Sequence, residues 1–200
     1  ESMFTWLPPK TEFLGNHYYP ITGVFAGPVR EGDAYNFYSA NLQRKYGPDF
    51  ANINHIRTAD RLLSWGFNTI GAFSNPEMWN LRRRIPYNPF VKVLGDHHRV
   101  TFAPGYLIHD PFDPAFRTSC YNSIAPIADV VRGDPYSLGW FVDNELTWTD
   151  GIGEEAGRYS IAYGTLKESI TTSPAKAAWI PALQTQYGDI QALNTSWGTN

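Results

Sequence analysis

Asp143, Asn144 and Glu145 are the residues whose types and spacing most clearly suit them to chemistry. They follow directly on Leu138-Gly139-Trp140-Phe141-Val142, a short apolar, aromatic run without proline, bounded upstream by Asp134-Pro135. That pattern predicts a fully buried strand, and strands buried on both faces are typically parallel. Carboxylates are rarely left at the end of a core strand, because an unpaired buried charge is costly or shifts its pKa. In α/β folds the C-terminal ends of parallel strands are where ligands bind. The chemistry that fits is proton transfer. Glu145 is placed to act as a general acid and base with a raised pKa. Asn144 is placed to hold a substrate hydroxyl that gains charge in the transition state. Trp148 adds an aromatic face three residues later.

A retaining glycosidase needs such an acid/base and also a carboxylate nucleophile, with the two carboxyl groups about 5–5.5 Å apart. The 138–148 stretch supplies the acid and the amide but no nucleophile. Asp143 lies two residues before Glu145 and so shares a side of the strand with it. It reads as a structural carboxylate paired with Arg82, Arg83 or Arg84, whose run Leu81–Ile85 otherwise reads as a solvated helix face. Aromatic residues make up 16% of the chain, with 7 Trp and 12 Tyr. Most of those rings belong to the core, yet the surplus also suits sugars, whose C–H faces pack on aromatic rings.

Other chemistries find less support. Net charge is 16 minus 19, or −3, which gives no reason to expect a nucleic-acid partner. The pair His97-His98 invites a metal reading, but adjacent side chains point apart and no carboxylate at helical spacing completes a set, so neither metal nor cofactor is expected. His109, in a loop after a candidate strand, could touch a ligand or be a satisfied structural histidine. The single cysteine, Cys120, excludes a disulfide within the chain and a cysteine-based zinc site. Gly-x-Ser-x-Gly, Gly-x-Gly-x-x-Gly and phosphate-loop patterns are absent. No run approaches 18 consecutive apolar residues, and Glu1–Pro9 does not read as a signal sequence.

The elements that must position these residues follow one recurring order. With 42% hydrophobic and 18% charged residues the chain can bury a core. Residues 1–36 read as an extended loop region, with a short strand at Ile21–Phe25 closed by Gly27-Pro28. Tyr35–Tyr46 fits a short helix. Asn54 then caps a helix carrying Ile56, Ala59, Leu62 and Leu63, which Gly66 stops. Phe67–Phe73 reads as a strand whose polar tip, Ser74-Asn75-Pro76, makes Asn75 a candidate substrate ligand. His109–Phe116 reads as loop followed by a helix start, and the order returns as a helix over Ile124–Arg132, a stop at Gly133, and the strand Leu138–Val142. Between them Pro86–Val93 and Arg99–Tyr106 supply at least one more strand, with Val100–Ala103 favoured. Pro174 opens a helix that Pro181 should kink or divide, and Asp189–Trp197 reads as a further short helix. Repeated αβ units with short loops predict a parallel sheet with crossover helices.

Gly139-Trp140-Phe141-Val142-Asp143-Asn144-Glu145, followed by Trp148, resembles the acid/base strand of the β-agarases of glycoside hydrolase family 50. More broadly it is similar to the strand-four Asn-Glu of the clan of retaining (β/α)₈-barrel glycosidases. Asn41–Gly47, Leu63–Gly71, Asp110–Pro114, Tyr187–Ile190, Leu193-Asn194 and Trp197-Gly198 resemble the same family, so the likeness spans nearly all 200 residues. The resemblance implies an α/β fold, part of a (β/α)₈ TIM barrel comprising about strands two to four and their helices. It implies a β-agarase that cleaves β-1,4 links of a galactan polysaccharide with retention, outside the cell or in the periplasm. Glu145 carries over as acid/base and Asn144 as its substrate-holding neighbour. The nucleophile is then a second Glu beyond Asn200, since Glu154 and Glu155 follow Glu145 too soon. These 200 residues are accordingly expected to be an excerpt of a longer enzyme, inactive alone. The strand motif by itself does not separate an agarase from another clan member such as a β-galactosidase, or from a non-catalytic galactan-binding barrel.

Overall fold

A computed structural model describes residues 4–22, 31–82, 84–103, 106–146, 148 and 158–199. The chain divides into two compact units, Glu1–Tyr87 and Asn88–Asn200. Both mix short sheets with helices. Among the described residues no helix is long and apolar enough to cross a membrane.

The first unit begins with a hairpin where a loop is expected. Strands β1 (Tyr18–Thr22) and β2 (Glu31–Tyr35) pair antiparallel, with Tyr18 opposite Tyr35 and Thr22 opposite Glu31. The expected strand Ile21–Phe25 therefore starts earlier; its residues 23–25, and Gly27-Pro28, lie outside the described residues. Cross-strand aromatic packing explains the start, because the Tyr18 and Tyr35 rings sit 4.8 Å apart and Tyr35 meets Phe37 edge-on at 4.9 Å. Helix α1 (Phe37–Tyr46) is capped by Asn36, which accepts the Ser39 N–H at 3.0 Å, and Gly47 ends it at a positive φ of 76°. Helix α2 (Phe50–Ser64) starts at Asp49 rather than at Asn54. Ala40 and Ala59 are buried, the small residues that let helices approach closely.

Two expectations fail in this unit. The strand over Phe67–Phe73 shrinks to one parallel bridge between Ile70 and Tyr87, with the Ile70 N–H donating to Pro86 O at 2.8 Å. Only Ile70 of the run is buried, and the chain turns at Gly71–Ser74. Leu81–Ile85 is not a helix face: its described residues form no helix, Ile85 is buried, and Arg83 lies outside the described residues.

The second unit holds two pairs of strands. Strand β3 (Phe90–Val91) pairs parallel with β6 (Phe141–Val142), Phe90 opposite Phe141. Strands β4 (Arg99–Ala103) and β5 (Tyr106–His109) form an antiparallel hairpin with an irregularity between Thr101 and Ala103. Val100–Ala103 is thus a strand as expected, but a hairpin arm rather than a member of a parallel sheet. Helix α3 (Pro114–Val131) begins ten residues before Ile124, capped by Asp113, and continues through Pro126. Helices α4 (Ser160–Lys167), α5 (Pro174–Tyr187) and α6 (Ile190–Trp197) follow. Ser173 caps α5, which runs unbroken past Pro181; a proline costs the ladder one donor, and the helix absorbs it. The Lys176 ammonium donates to Leu166 O and Glu168 O, both at 2.6 Å, and so satisfies carbonyls at the end of α4. Val100, Ile108 and Ala175 form a small buried core with Ile161 packed on it.

The largest correction concerns β6. The expected parallel partner is present, but the ladder is two residues long, and Phe141 and Val142 are 53% and 49% exposed. Leu138 is exposed as well. Among the described residues β6 pairs along one edge only, with β3, so these apolar side chains lack the cover a buried strand has.

Candidate active site

The site is built at the C-terminal ends of β3, β5 and β6. The parallel pairing fixes where β6 stops: the Phe141 N–H donates to Pro89 O at 2.9 Å and the Asp143 N–H to Val91 O at 2.7 Å. The backbone then leaves the extended region. Asp143 and Glu145 adopt φ of 58° and 52°, the positive-φ non-glycine residues among those described. A left-handed L-residue costs roughly 1–2 kcal/mol. Two of them flanking Asn144 mark a tight, over-determined turn, and such strain collects at functional sites.

Side chains from neighbouring elements hold that turn. Asp143 Oδ1 accepts the Val93 N–H at 2.8 Å, and Asp143 Oδ2 lies 3.1 Å from His109 Nε2. His109 Nδ1 lies 2.7 Å from His97 Nε2, and His97 Nδ1 lies 2.9 Å from Ser119 Oγ. The Asp143 side chain is 8% exposed. Its partner is therefore a histidine from β5, where an arginine from Arg82–Arg84 is expected. The error has a plain source: the sequence shows two carboxylates flanking Asn144, while the imidazole that reaches Asp143 is 34 residues away and brought near by folding.

A second network shares the base of the hairpin. Asp110 is 0% exposed and accepts three bonds at 2.9 Å, from His98 Nδ1, the Ala175 N–H and the Phe112 N–H. His98 Nε2 lies 3.4 Å from Glu168 Oε2. Asp113 accepts the His98 N–H at 2.6 Å and the Ala115 N–H at 2.9 Å, and those two backbone bonds hold its carboxyl below the ordinary aspartate range. His97 moves down from the usual histidine value, first because it is buried and then because Arg99 and His109 disfavour a further positive charge. Burial, with Asp143 nearby, raises the Cys120 thiol. Among the described residues no group of three or more His, Cys, Asp and Glu side chains is arranged to hold a metal ion.

Beside these networks lies an open cavity of about 970 Å³. Its wall is largely apolar, with Phe112, Phe116, Ile161 and Trp179 among the lining residues, and its polar points include His109 and Asp143. Of the candidate ligands, His109 and Trp148 are on that wall, Trp148 being 65% exposed. Asn144 and Glu145 are exposed and do not line the cavity. Asn75 belongs to the first unit, where it caps the short turn Pro76–Met78 through the Glu77 N–H at 2.9 Å and meets His55 Nε2 at 3.2 Å. Ser119, His97, Asp110 and Asp113 are structural partners that sequence reasoning missed. A signal was present: Pro104-Gly105 separates an alternating run, Arg99–Phe102, from a short apolar run, Tyr106–Ile108, which is a hairpin pattern that brings His97-His98 to His109-Asp110.

The fold and site together define a mixed α/β segment with a carboxylate-bearing turn at the end of a parallel strand. That segment is similar to known proteins from end to end. It is 37% identical over 203 residues to β-agarase B of Vibrio sp. (strain JT0107), covering 98% of this chain and 21% of that protein. It is 33% identical over 211 residues to β-agarase A of the same strain, covering 100% and 20%. Among solved structures it superposes on an agarase, AgWH50C, with a TM-score of 0.90 at 36% identity, covering all of this chain and 29% of that one. PfGH50B gives 0.92 at 30% identity over 99% and 28%, and an exo-β-agarase gives 0.90 at 32% over 98% and 27%. No family model matches. The chain thus resembles the β-agarases of glycoside hydrolase family 50 along its whole length, and spans about a fifth of the curated relatives.

Proposed function

We propose that these residues are part of the (β/α)₈-barrel catalytic domain of a retaining β-agarase, acting on galactan polysaccharide outside the cell or in the periplasm. One observation carries the reading: a whole-length likeness to β-agarases that includes the Asn144-Glu145 turn at the end of a parallel strand. Glu145 is the general acid/base. It protonates the glycosidic oxygen as the bond to the anomeric carbon breaks, while a second carboxylate, outside these 200 residues, attacks that carbon. Glu145 then takes a proton from the water that releases the sugar, and the configuration is retained. Asn144 holds a hydroxyl of the sugar being cleaved, His109 and Trp148 contact the substrate from the cavity wall, and Asn75 is the candidate ligand of the first unit. The names of the relatives favour agarose over the galactosides that other clan members take.

The test is Glu145→Gln in the full-length protein that carries this segment. Turnover of agarose should fall by about 10³ or more, with binding retained, because the missing group acts in the transition state. Turnover at the parent rate would refute the assignment.

A further inference from the structure

We propose that Ser119, His97, His109 and Asp143 form a directional hydrogen-bonded chain that sets the position of the Asp143-Asn144-Glu145 turn, with His97 and His109 as positioning residues. This deepens, and rests on, the reading of Glu145 as acid/base. The four residues come from four places: helix α3, the segment before β4, the last residue of β5 and the turn after β6. The links are 2.9, 2.7 and 3.1 Å long. The chain is enclosed. Ser119 and His97 are buried, and the Phe116 ring packs 5.2 Å from the His97 ring and 5.1 Å from that of His109. Gly95 closes one end: a Cβ there would stand 2.2 Å from Ser119 Oγ, so no larger residue fits without moving the serine.

The direction follows from what each group can do. An ionised carboxylate only accepts, so His109 Nε2 carries the hydrogen it shares with Asp143. In the neutral ring Nδ1 then accepts, and it accepts from His97 Nε2–H. His97 Nδ1 accepts in turn from the Ser119 hydroxyl. Every bond points toward Asp143, and both histidines hold their hydrogen on Nε2. One added proton fits without moving a heavy atom: His109 becomes doubly protonated, His97 shifts its hydrogen to Nδ1, and Ser119 accepts. A second does not, because two N–H groups would face each other across 2.7 Å. The charged groups around His97 are Asp113 and Asp143, which favour a proton there, and Arg99, which opposes one together with burial and His109. His98 is turned to Asp110 and Glu168, and Cys120 lies on the cavity wall near Asp143.

The chain reaches the proposed catalytic turn through Asp143. Three contacts tie that residue down: its N–H to Val91 O, Oδ1 to the Val93 N–H, and Oδ2 to His109. With Oδ2 released, the left-handed backbone at residue 143 can relax, and the carboxyl of Glu145 two residues on moves with it. A displacement of about 1 Å at a reacting group costs about 10²-fold in rate.

The test uses the full-length protein, with kinetics on agarose-derived oligosaccharides and ¹⁵N spectra of its histidines. His97→Leu breaks the chain without touching substrate; we expect kcat to fall 30- to 100-fold with KM within about twofold of the parent. His97→Gln can still donate to His109 and accept from Ser119, and should recover kcat to within about threefold. The ¹⁵N spectra should show His97 and His109 each protonated on Nε2 near neutral pH. Parent kcat in His97→Leu, failure of His97→Gln to rescue while its melting temperature matches the parent, or an Nδ1–H tautomer at either histidine overturns the proposal. The spectra decide it even if the leucine variant fails to fold. Parent turnover in Glu145→Gln would instead remove the catalytic reading, and the tautomers would still test the chain.

Discussion

Replacing Asp110 by alanine removes one acceptor and strands three donors at once. The Ala175 N–H is at the second residue of α5, within the buried core, so leaving it unpaired costs about 2 kcal/mol. The Phe112 N–H belongs to an exposed residue and can turn to water, for about 0.5 kcal/mol. His98 is partly exposed and keeps Glu168 on its other nitrogen, so its loss is about 1 kcal/mol. The sum is about 3.5 kcal/mol, and it falls on the attachment of α5 to the base of the β4–β5 hairpin. Helix α5 supplies Ala175, Ala178, Trp179 and Ala182 to the cavity wall, so the loosened element is part of the candidate site.

Hydrogen exchange read by mass spectrometry on the full-length protein measures this directly. Peptides covering α5 should exchange about 300-fold faster in Asp110→Ala, since each 1.4 kcal/mol is a factor of ten. Asp110→Asn should cost much less. Its amide can turn so that the oxygen faces Ala175 and His98, leaving the mismatch at the hydrated Phe112 N–H, for about 1 kcal/mol and a tenfold change or less. Exchange in α5 of Asp110→Ala within threefold of the parent would refute the reasoning, because it would mean that these three bonds do not anchor the helix.

Two further outcomes follow from the same geometry. Backbone bonds to His98 and Ala115 depress the Asp113 pKa below its ordinary 3.8, so the charged form stabilises the fold above that pH and the gain is lost as pH falls through the lower native value. The melting-temperature gap between parent and Asp113→Asn should therefore be constant from about pH 5 to 8 and shrink below about pH 4; a gap unchanged at pH 3 would contradict it. Trp148→Ala should weaken oligosaccharide binding about tenfold, from loss of about 1.5 kcal/mol of ring contact, while leaving the melting temperature within 1–2 °C, since the ring is largely exposed; titration calorimetry beside a thermal melt reads both.

The local parts of this structure were legible and the long-range parts were not. Gly66 and Gly133 both sit at positive φ after helices that the sequence ends there, because a helix stop depends on one residue's backbone freedom. The parallel pairing expected of the 138–142 run is found at Phe141–Val142. The burial expected of it is not. Apolar character says that a strand needs cover, and the cover comes from elements elsewhere, which the described residues provide only along the β3 edge. A helix start within His109–Phe116 and a helix over Ile124–Arg132 could each be read, but not that they are one helix, α3, which Asp113 caps through the Ala115 N–H and which continues through Pro126. The Asn144-Glu145 turn stood out by type, but its left-handed backbone and its dependence on Asp143 and His109 were invisible.

Pairing across the β4–β5 hairpin explains why two adjacent histidines serve different ends. With Arg99 opposite His109, the dipeptide His97-His98 is carried to His109-Asp110. Neighbouring side chains in an extended segment project to opposite sides. The same alternation that argues against a metal at His97-His98 therefore requires two separate networks. His97 turns toward Ser119 and His109, and so toward Asp143 and the proposed catalytic turn; His98 turns toward Asp110 and Glu168, and so toward the start of α5. Losing His98 should loosen α5 in the manner of Asp110→Ala, with the tautomers of His97 and His109 unchanged. Losing His97 should leave α5 exchange at the parent level and fall on kcat alone. If the two histidine variants instead give the same pattern in both measurements, the hairpin base is one cooperative polar core, and the division between holding the fold and positioning the turn is wrong.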